Sequence, residues 1–294
     1  MKPRVRMIAV DLDGTLLNSQ KRISDQDLAA LEEAMTRGIE VIPVTGRNYA
    51  FALPVIQKLP FEVPLISSNG ALIRSRDGET FFRCLLPVET ASRVLERTRE
   101  FRALTVVMYD QAGAGLLRIE AAPDGGPGQA TAALHAEGVA ASAWVQRNQS
   151  LVRFVPSLED ALDGDPLEIM FAGPVAAIRQ VEALLRNRDT QTKAPNGYRP
   201  LLTEYLDMDF SILDIIREDC SKGHAVAYWS QKRGIAPAEI MAIGDNYNDL
   251  EMLRLAGLPV VMGNAEAALR QQGWPLTLDC DSSGVAHAIR QFVL

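Results

Sequence analysis

The hydrophobic pattern of the first seventy residues moves between short apolar runs and apolar positions at helical intervals. Val5 to Val10 reads as one short run, as expected of a central parallel strand covered on both faces, and it ends at Asp11. From Ser24 the spacing changes. Ser24 and Asp27 stand as a capping box, Leu28, Leu31 and Met35 recur at helical intervals, and Gly38 supplies the stop. Ile39 to Val44 is a second strand, leading through Thr45, Gly46 and Arg47 into another helical segment, and Pro64 to Ser67 is a third, before Asn69-Gly70. This alternation predicts a doubly wound, Rossmann-like α/β domain with a parallel sheet, and such sheets place ligands beyond the carboxyl ends of their strands.

The rhythm loosens after about residue 83. Thr105 to Tyr109, Gly115 to Ala121, Leu151 to Val155 and Leu167 to Ala172 read as short strands, and the Gly/Pro-rich stretch Pro123 to Gly128 reads as a mobile loop. From Lys222 the first rhythm returns: a helix to Arg233, the strand Ile240 to Ile243, a helix near Leu250 to Leu255 and the strand Pro259 to Met262. The expected organisation is one α/β core, residues 1–83 with 212–294, interrupted by an inserted α/β domain over 84–211.

Composition narrows the function. A chain of 294 residues, 47% hydrophobic and 23% charged, can bury one large core or two modest ones, and two domains are expected. Its formal charge of -7 provides no positive field to gather polyanions, so a nucleic-acid partner is not expected and an anionic ligand must be held by local groups. Cys84, Cys220 and Cys280 are widely spaced and form no CxxC, which fits a reducing compartment. The N-terminal apolar stretch is shorter than a signal-peptide core and is cut by two aspartates, and no run approaches the roughly 18 apolar residues of a membrane span. A cytoplasmic protein without a membrane partner is expected, as a monomer or weak homodimer, since no heptad or long apolar stripe declares an interface.

Four polar clusters fall where predicted core strands end or core helices begin. In Asp11-Leu12-Asp13-Gly14-Thr15, two carboxylates one residue apart repel unless a divalent cation lies between them. Magnesium suits such hard oxygen ligands, and no histidine or cysteine cluster competes. Gly14 lets the backbone turn tightly and bring amides towards a phosphoryl oxygen. An Asx turn with a helix cap is the plainer explanation of the same residues. Thr45-Gly46-Arg47 offers a hydroxyl and free amides to an anion, although alone it is better explained as an N-cap at Thr45. Lys222 stands at the head of a helix, where the dipole disfavours a cation, and answers either to a nearby negative charge or to solvent. Gly244-Asp245-Asn246-Tyr247-Asn248-Asp249 is more specific than an Asp-rich turn: Asp245 is placed as a metal ligand and Asp249 behind it, fixing orientation or the lysine.

In this order and spacing the clusters resemble the haloacid dehalogenase-like phosphatases. Asp11-Leu12-Asp13-Gly14-Thr15-Leu16 is similar to the nucleophile motif, Thr45 stands at the second-motif Ser/Thr, Lys222 at the third-motif lysine, and residues 244–249 match the fourth motif GDxxND. Ser68-Asn69-Gly70-Ala71, Ser221-Lys222-Gly223 and Val261-Met262-Gly263-Asn264-Ala265, with the large insertion, add similarity to the Cof-type subfamily. Thr45-Gly46-Arg47 departs from the SGR frequent there but keeps the hydroxyl. The resemblance spans both core segments and implies a magnesium-dependent phosphatase of small phosphate esters, sugar phosphates or phosphorylated cofactors, acting through an aspartyl phosphate. It implies Asp11 as nucleophile, Asp13 as acid and then base, and Thr45 and Lys222 as a phosphoryl clamp. Magnesium would sit on Asp11, on Asp13 through its carbonyl, and on Asp245, with Asp249 outside the ion. Leu12, Gly46, Arg47, Asn69 and Asn248 are the expected phosphate or substrate contacts. The insertion is expected to be an α/β cap that closes over the core and chooses the leaving group.

Other chemistry is weakly represented. His135, His224 and His287 have no metal-binding spacing, neither GxSxG nor a Walker-type GK[ST] occurs, and Gly113-Ala114-Gly115 does not continue into GxGxxG. Two rivals share the aspartate chemistry: a phosphomutase, which returns the phosphoryl group to its substrate, and a non-catalytic phosphate-sensing module, which binds without turnover.

Overall fold

The computed structural model describes residues 5–121, 139, 142–186 and 196–294; the stretch 123–128 and His135 lie outside them. The chain divides into two compact units, residues 1–83 with 220–294, and residues 84–219. Before the insertion it lays down β1 (Met7–Asp11), α1 (Asp25–Thr36), β2 (Glu40–Val44), α2 (Tyr49–Ile56), β3 (Leu65–Ser67) and the hairpin β4 (Leu72–Arg74) with β5 (Thr80–Arg83). The inserted unit holds α3 (Val88–Arg97), β6 (Thr105–Met108), β7 (Leu117–Glu120), α4 (Ala143–Arg147), β8 (Val152–Val155), β9 (Glu168–Gly173), α5 (Val175–Arg186), β10 (Tyr198–Tyr205) and β11 (Phe210–Arg217). The core resumes with α6 (Lys222–Lys232), β12 (Ile240–Gly244), α7 (Leu250–Leu255), β13 (Leu258–Val261), α8 (Ala267–Arg270) and α9 (Gly284–Phe292).

The core sheet runs β13-β12-β1-β2-β3-β4-β5, parallel from β13 to β3 and antiparallel at the hairpin end. All of β1 is buried, as its apolar run requires, with Met7 beside both Ile240 and Glu40 and Asp11 beside Val44. Burying each such large apolar side chain stabilises the fold by about 1.5–3 kcal/mol, which keeps polar residues out of the strand until its last position. After β1 the chain steps to β2 and β3 on one side, then returns to β12 and β13 on the other. Right-handed crossovers therefore put α1 and α7 on opposite faces of the sheet. There α1 packs on α9 and α7 on α6. β1 lies at the reversal, so the loop after Asp11 opens into the crevice where doubly wound sheets hold ligands.

Local signals set most element ends. Ser24 Oγ accepts from Asp27 N at 3.0 Å, and Asp27 Oδ1 accepts from Ala286 N at 2.7 Å, so the residue that completes the α1 cap also ties α1 to the first turn of α9. Two expectations are corrected. α2 starts later than Thr45 suggested: Asn48 is its N-cap, accepting from Ala50 N at 3.0 Å, so Thr45 is not a helix cap. The return boundary falls at 219/220 rather than 211/212, because β11 pairs antiparallel with both β10 and β9 and completes the inserted sheet.

That second sheet runs β10-β11-β9-β6-β7-β8, antiparallel except between β7 and β8. Val94 and Leu95 of α3 and Ile178 and Val181 of α5 form its core with Ile169, Phe171, Leu213 and Ile215. Among the described residues no helix is long and apolar enough to cross a membrane.

Candidate active site

β1 delivers Asp11 to the reversal in the sheet as a buried carboxylate. α6 begins at Lys222 because Ser221 caps it, its Oγ accepting from His224 N at 3.0 Å. The lysine is only 2% exposed, which excludes a solvated role. Its ammonium donates to Asp11 Oδ1 at 2.7 Å and to Asp249 Oδ1 at 2.6 Å, so two carboxylates answer the cation that the helix dipole opposes. Asp249 Oδ2 accepts from the amides of Asp245 and Asn246 at 3.0 and 3.1 Å. Both its oxygens thus hold the lysine and the turn after β12. Gly244 lets that turn close, since a Cβ there would stand 2.6 Å from Asp249 Oδ2.

Asp245 faces the loop after β1. Thr15 Oγ1 donates to its Oδ1 at 3.0 Å, and Gly14, at φ +78°, leaves space that a Cβ would deny to Asp245 Oδ2. Oxygens of Asp11, Asp245 and Asp249 lie within 4.8 Å of one another. Three carboxylates around one ammonium leave an excess of negative charge, and an all-oxygen donor set without nitrogen or sulfur fits a hard divalent cation. Burial pushes the Asp11 carboxyl well above its ordinary range; Lys222 pulls it down while Asp249 and Asp245 push it further up. Burial and the Asp249 charge push Asp245 up to about 7, against the Thr15 hydrogen bond. Burial alone would lower Lys222, but Asp11 and Asp249 outweigh it and keep the ammonium protonated. Like-charge crowding therefore falls on Asp11 and Asp245, the two carboxylates a bound cation would relieve.

Asp13 is turned elsewhere. In a continuing strand, positions 11 and 13 would share a face. Instead the chain turns, with Leu16 N donating to Asp11 O at 3.1 Å and Leu17 N to Leu12 O at 2.7 Å, and the two carboxylates diverge. Arg47 Nε donates to Asp13 Oδ2 at 2.6 Å and Arg47 Nη2 to Oδ1 at 2.5 Å, while Lys21 Nζ donates to Oδ1 at 3.0 Å. Burial alone would raise the Asp13 carboxyl, but the hydrogen bonds and charges of Arg47 and Lys21 bring it below the usual range. Its side chain is thus outside the cluster of three carboxylates, and only its backbone carbonyl remains to meet an ion. Arg47, expected at a phosphate, has its guanidinium on this carboxylate.

Thr45, Gly46, Asn69 and Asn248 meet around the loop after β2. Thr45 Oγ1, relieved of capping, accepts from Arg47 N at 3.1 Å. Asn69 N donates to Thr45 O at 3.1 Å and Ser68 N to Arg47 O at 2.8 Å. Ser68, Asn69 and Gly70 have φ of +48°, +53° and +101°, three successive left-handed residues that fold the end of β3 against the 45–47 loop. Gly70 is required because a Cβ would collide with the Ser221 carbonyl oxygen. Asn248 Nδ2 donates to Asn69 Oδ1 at 3.1 Å, and a Cβ on Gly46 would lie 3.0 Å from that same oxygen. Leu12 has its side chain in the core, so it can meet a phosphate only through its backbone.

Three contributors had been given no role in the sequence. Thr15 orients Asp245, and Lys21 grips Asp13. Asn264 Nδ2 donates to Gly14 O at 2.8 Å while its Oδ1 accepts from Cys280 N at 2.9 Å, fastening the loop after β1 to the C-terminal segment. Thr15 and Asn264 lie inside recognisable motifs; Lys21 lies in a polar stretch that gives no signal.

The sequence model of the family described as haloacid dehalogenase-like hydrolase matches residues 8–289. The HMP-PP phosphatase of Serratia proteamaculans is 28% identical over 293 residues, covering 98% of this chain and 95% of that protein. The pyridoxal phosphate phosphatase of Escherichia coli is 27% identical over 292 residues, covering 97% of each. A crystal structure of a haloacid dehalogenase-like hydrolase from Bacteroides thetaiotaomicron is similar with a TM-score of 0.74 and 25% identity, over 98% of this chain and 99% of that one.

Proposed function

The chain belongs to the haloacid dehalogenase-like hydrolases and is a phosphoric monoester hydrolase, and from that premise we propose that it hydrolyses small phosphorylated metabolites through an aspartyl phosphate on Asp11. The observation that carries this is the division of labour between two aspartates. Asp11 is buried on Lys222 among carboxylates, whereas Asp13 is held outside them by Arg47 and Lys21.

In this mechanism a carboxylate oxygen of Asp11 attacks phosphorus, and Asp13, which Arg47 and Lys21 hold ionised at rest, takes up the proton that the ester brings as its monoanion and gives it to the departing oxygen. Water then attacks the aspartyl phosphate, losing a proton to Asp13, and inorganic phosphate leaves with Asp11 restored. Lys222 and Thr45 hold phosphoryl oxygens, and the backbone of Leu12 and Gly46 can donate to them. Magnesium is the cation we assign to Asp11, Asp245 and the Asp13 carbonyl; when bound it neutralises charge on the phosphoryl group. Asp249 keeps Lys222 in place. The inserted unit acts as the cap that selects the leaving group, and the pyridoxal phosphate phosphatase named above supports phosphorylated cofactors as the substrate class.

The test is a panel of phosphate esters with magnesium, run on the wild-type protein and on Asp11→Asn. Phosphate release by the former, none by the latter, and a phosphorylated peptide containing Asp11 on rapid quench are expected. Turnover by Asp11→Asn at the wild-type rate would refute the mechanism.

A further inference from the structure

A family position suggests that Arg47 meets phosphate, but its geometry points to different work. We infer that Arg47 and Lys21 are positioning residues that aim the carboxylate of Asp13, an inference that rests on the proton-handling part assigned to Asp13 above. Two contacts support it. The Arg47 fork engages both Asp13 oxygens, at 2.6 and 2.5 Å, which fixes the plane of the carboxylate as well as its direction. Lys21 approaches Oδ1 from a separate segment, at 3.0 Å. Between the two cations the carboxylate has little rotational freedom left.

The placement of Lys21 is itself built. It adopts φ +57°, a left-handed conformation that is costly for a residue with a Cβ and persists where the surroundings impose it. The surroundings here are a small closed loop. Lys21 N donates to Asn18 O at 2.9 Å and Asn18 N to Arg22 O at 3.0 Å, while Asn18 Oδ1 accepts from Gln20 N at 3.0 Å and Arg22 N at 2.9 Å. Ser19 N donates to Asp281 Oδ1 at 2.9 Å and pins the loop to the C-terminal segment. An exposed Lys–Asp pair alone contributes little to stability, so this arrangement is not explained by fold energetics. Arg47 is fixed in turn by its own backbone: its amide donates to Thr45 Oγ1 at 3.1 Å and its carbonyl accepts from Ser68 N at 2.8 Å.

A residue that aims the acid affects proton delivery and leaves phosphate binding alone; a phosphate-binding residue affects every ester alike. The two are separated by kcat/KM with two substrates: p-nitrophenyl phosphate, whose leaving group needs no proton, and the alkyl phosphate that the panel ranks first. Asp13→Asn is the control. Its loss must be much larger for the alkyl ester, since general acid catalysis contributes about 10²–10⁴-fold; if the two esters fall equally there, the part assigned to Asp13 fails, whatever Arg47 does. Given a selective Asp13→Asn, Arg47→Ala should lower alkyl-ester kcat/KM by about 10–100-fold, as a misplaced catalytic group does, with less than about a threefold change for the aryl ester. Arg47→Lys should stay defective, because a point charge does not reproduce the fork. Lys21→Ala should show the same selectivity at about 3–10-fold. Inhibition by inorganic phosphate should remain within about threefold of wild type in all three. Equal losses on both esters with a parallel weakening of phosphate inhibition, or no loss on either, would overturn the inference.

Discussion

Replacing Asp249 by asparagine keeps the shape of the side chain and exchanges one oxygen for an NH2. In the wild-type protein Oδ1 accepts from Lys222 Nζ at 2.6 Å and Oδ2 from the amides of Asp245 and Asn246 at 3.0 and 3.1 Å. Every partner is a donor, so the new NH2 faces donors in either orientation. Turned towards Lys222, it leaves the ammonium to Asp11 alone; turned towards the loop, it deprives two part-buried amides of their acceptor. Breaking a buried ion pair costs about 3–5 kcal/mol, and hydrogen bonds to charged groups contribute about 1.5–3 kcal/mol each, so we expect a loss of about 3–5 kcal/mol. Measured against a total of about 5–15 kcal/mol, the variant should fold but sit near its threshold. Urea unfolding followed by circular dichroism reads the change. With a slope of about 1–3 kcal/mol per molar, the midpoint of the core transition should fall by about 1 M or more. A midpoint within about 0.3 M of wild type would show that the three donors do not depend on this carboxylate.

Magnesium binding should weaken as the pH falls through about 7, because Asp245 is pushed up to about 7 and only its ionised form ligates; calorimetric titrations at pH 8 and pH 6 that gave one affinity would contradict this. The same displacement has a stability consequence in the metal-free protein. Folding raises the Asp245 value from 3.8 to about 7, so the folded state binds the proton more tightly, and the stabilisation is lost as pH rises through about 7. The core should therefore resist urea better at pH 5 than at pH 8 without magnesium, and equal midpoints would refute the assignment. Gly70→Ala forces a Cβ onto the Ser221 carbonyl at φ +101°. Left-handed strain adds about 1–2 kcal/mol to that collision and displaces the start of α6, so both the urea midpoint and kcat should drop. Wild-type values for both would mean that the 67–70 turn yields freely.

β1, α1 and β12 were legible because each is announced locally: an apolar run ending in a polar cluster, or a cap followed by helical spacing. The convergence of Asp11, Lys222, Asp245 and Asp249 followed, since parallel strands around one reversal send their ends to one crevice. Thr45 misled because Thr45 and Asn48 are both good caps; hydrogen bonds from Ser68 and Asn69, remote in sequence, hold 45–47 out of the helix. The end of the insertion was misplaced because Phe210–Arg217 is an apolar strand that would serve either sheet, and only its partners β9 and β10 decide. That Asp13 could turn away from Asp11 was legible in the turn after β1; which groups receive it was not. Two carboxylates at i and i+2 diverge only if the chain turns between them, and the cations that receive the second lie in two separate loops, after β1 and after β2.

The central strand also has a history during synthesis. β1 is flanked by β2 on one edge and β12 on the other, and the whole of 84–219 is made between them. While the ribosome is still producing that stretch, Met7 to Val10 have no partner for the backbone groups that β12 later pairs, the kind of edge that recruits other strands into aggregates. Asp11 meanwhile has no ammonium beside it. A chain released before residue 244 lacks both the partner strand and the complete constellation, so truncated products are expected to be inactive and prone to aggregate.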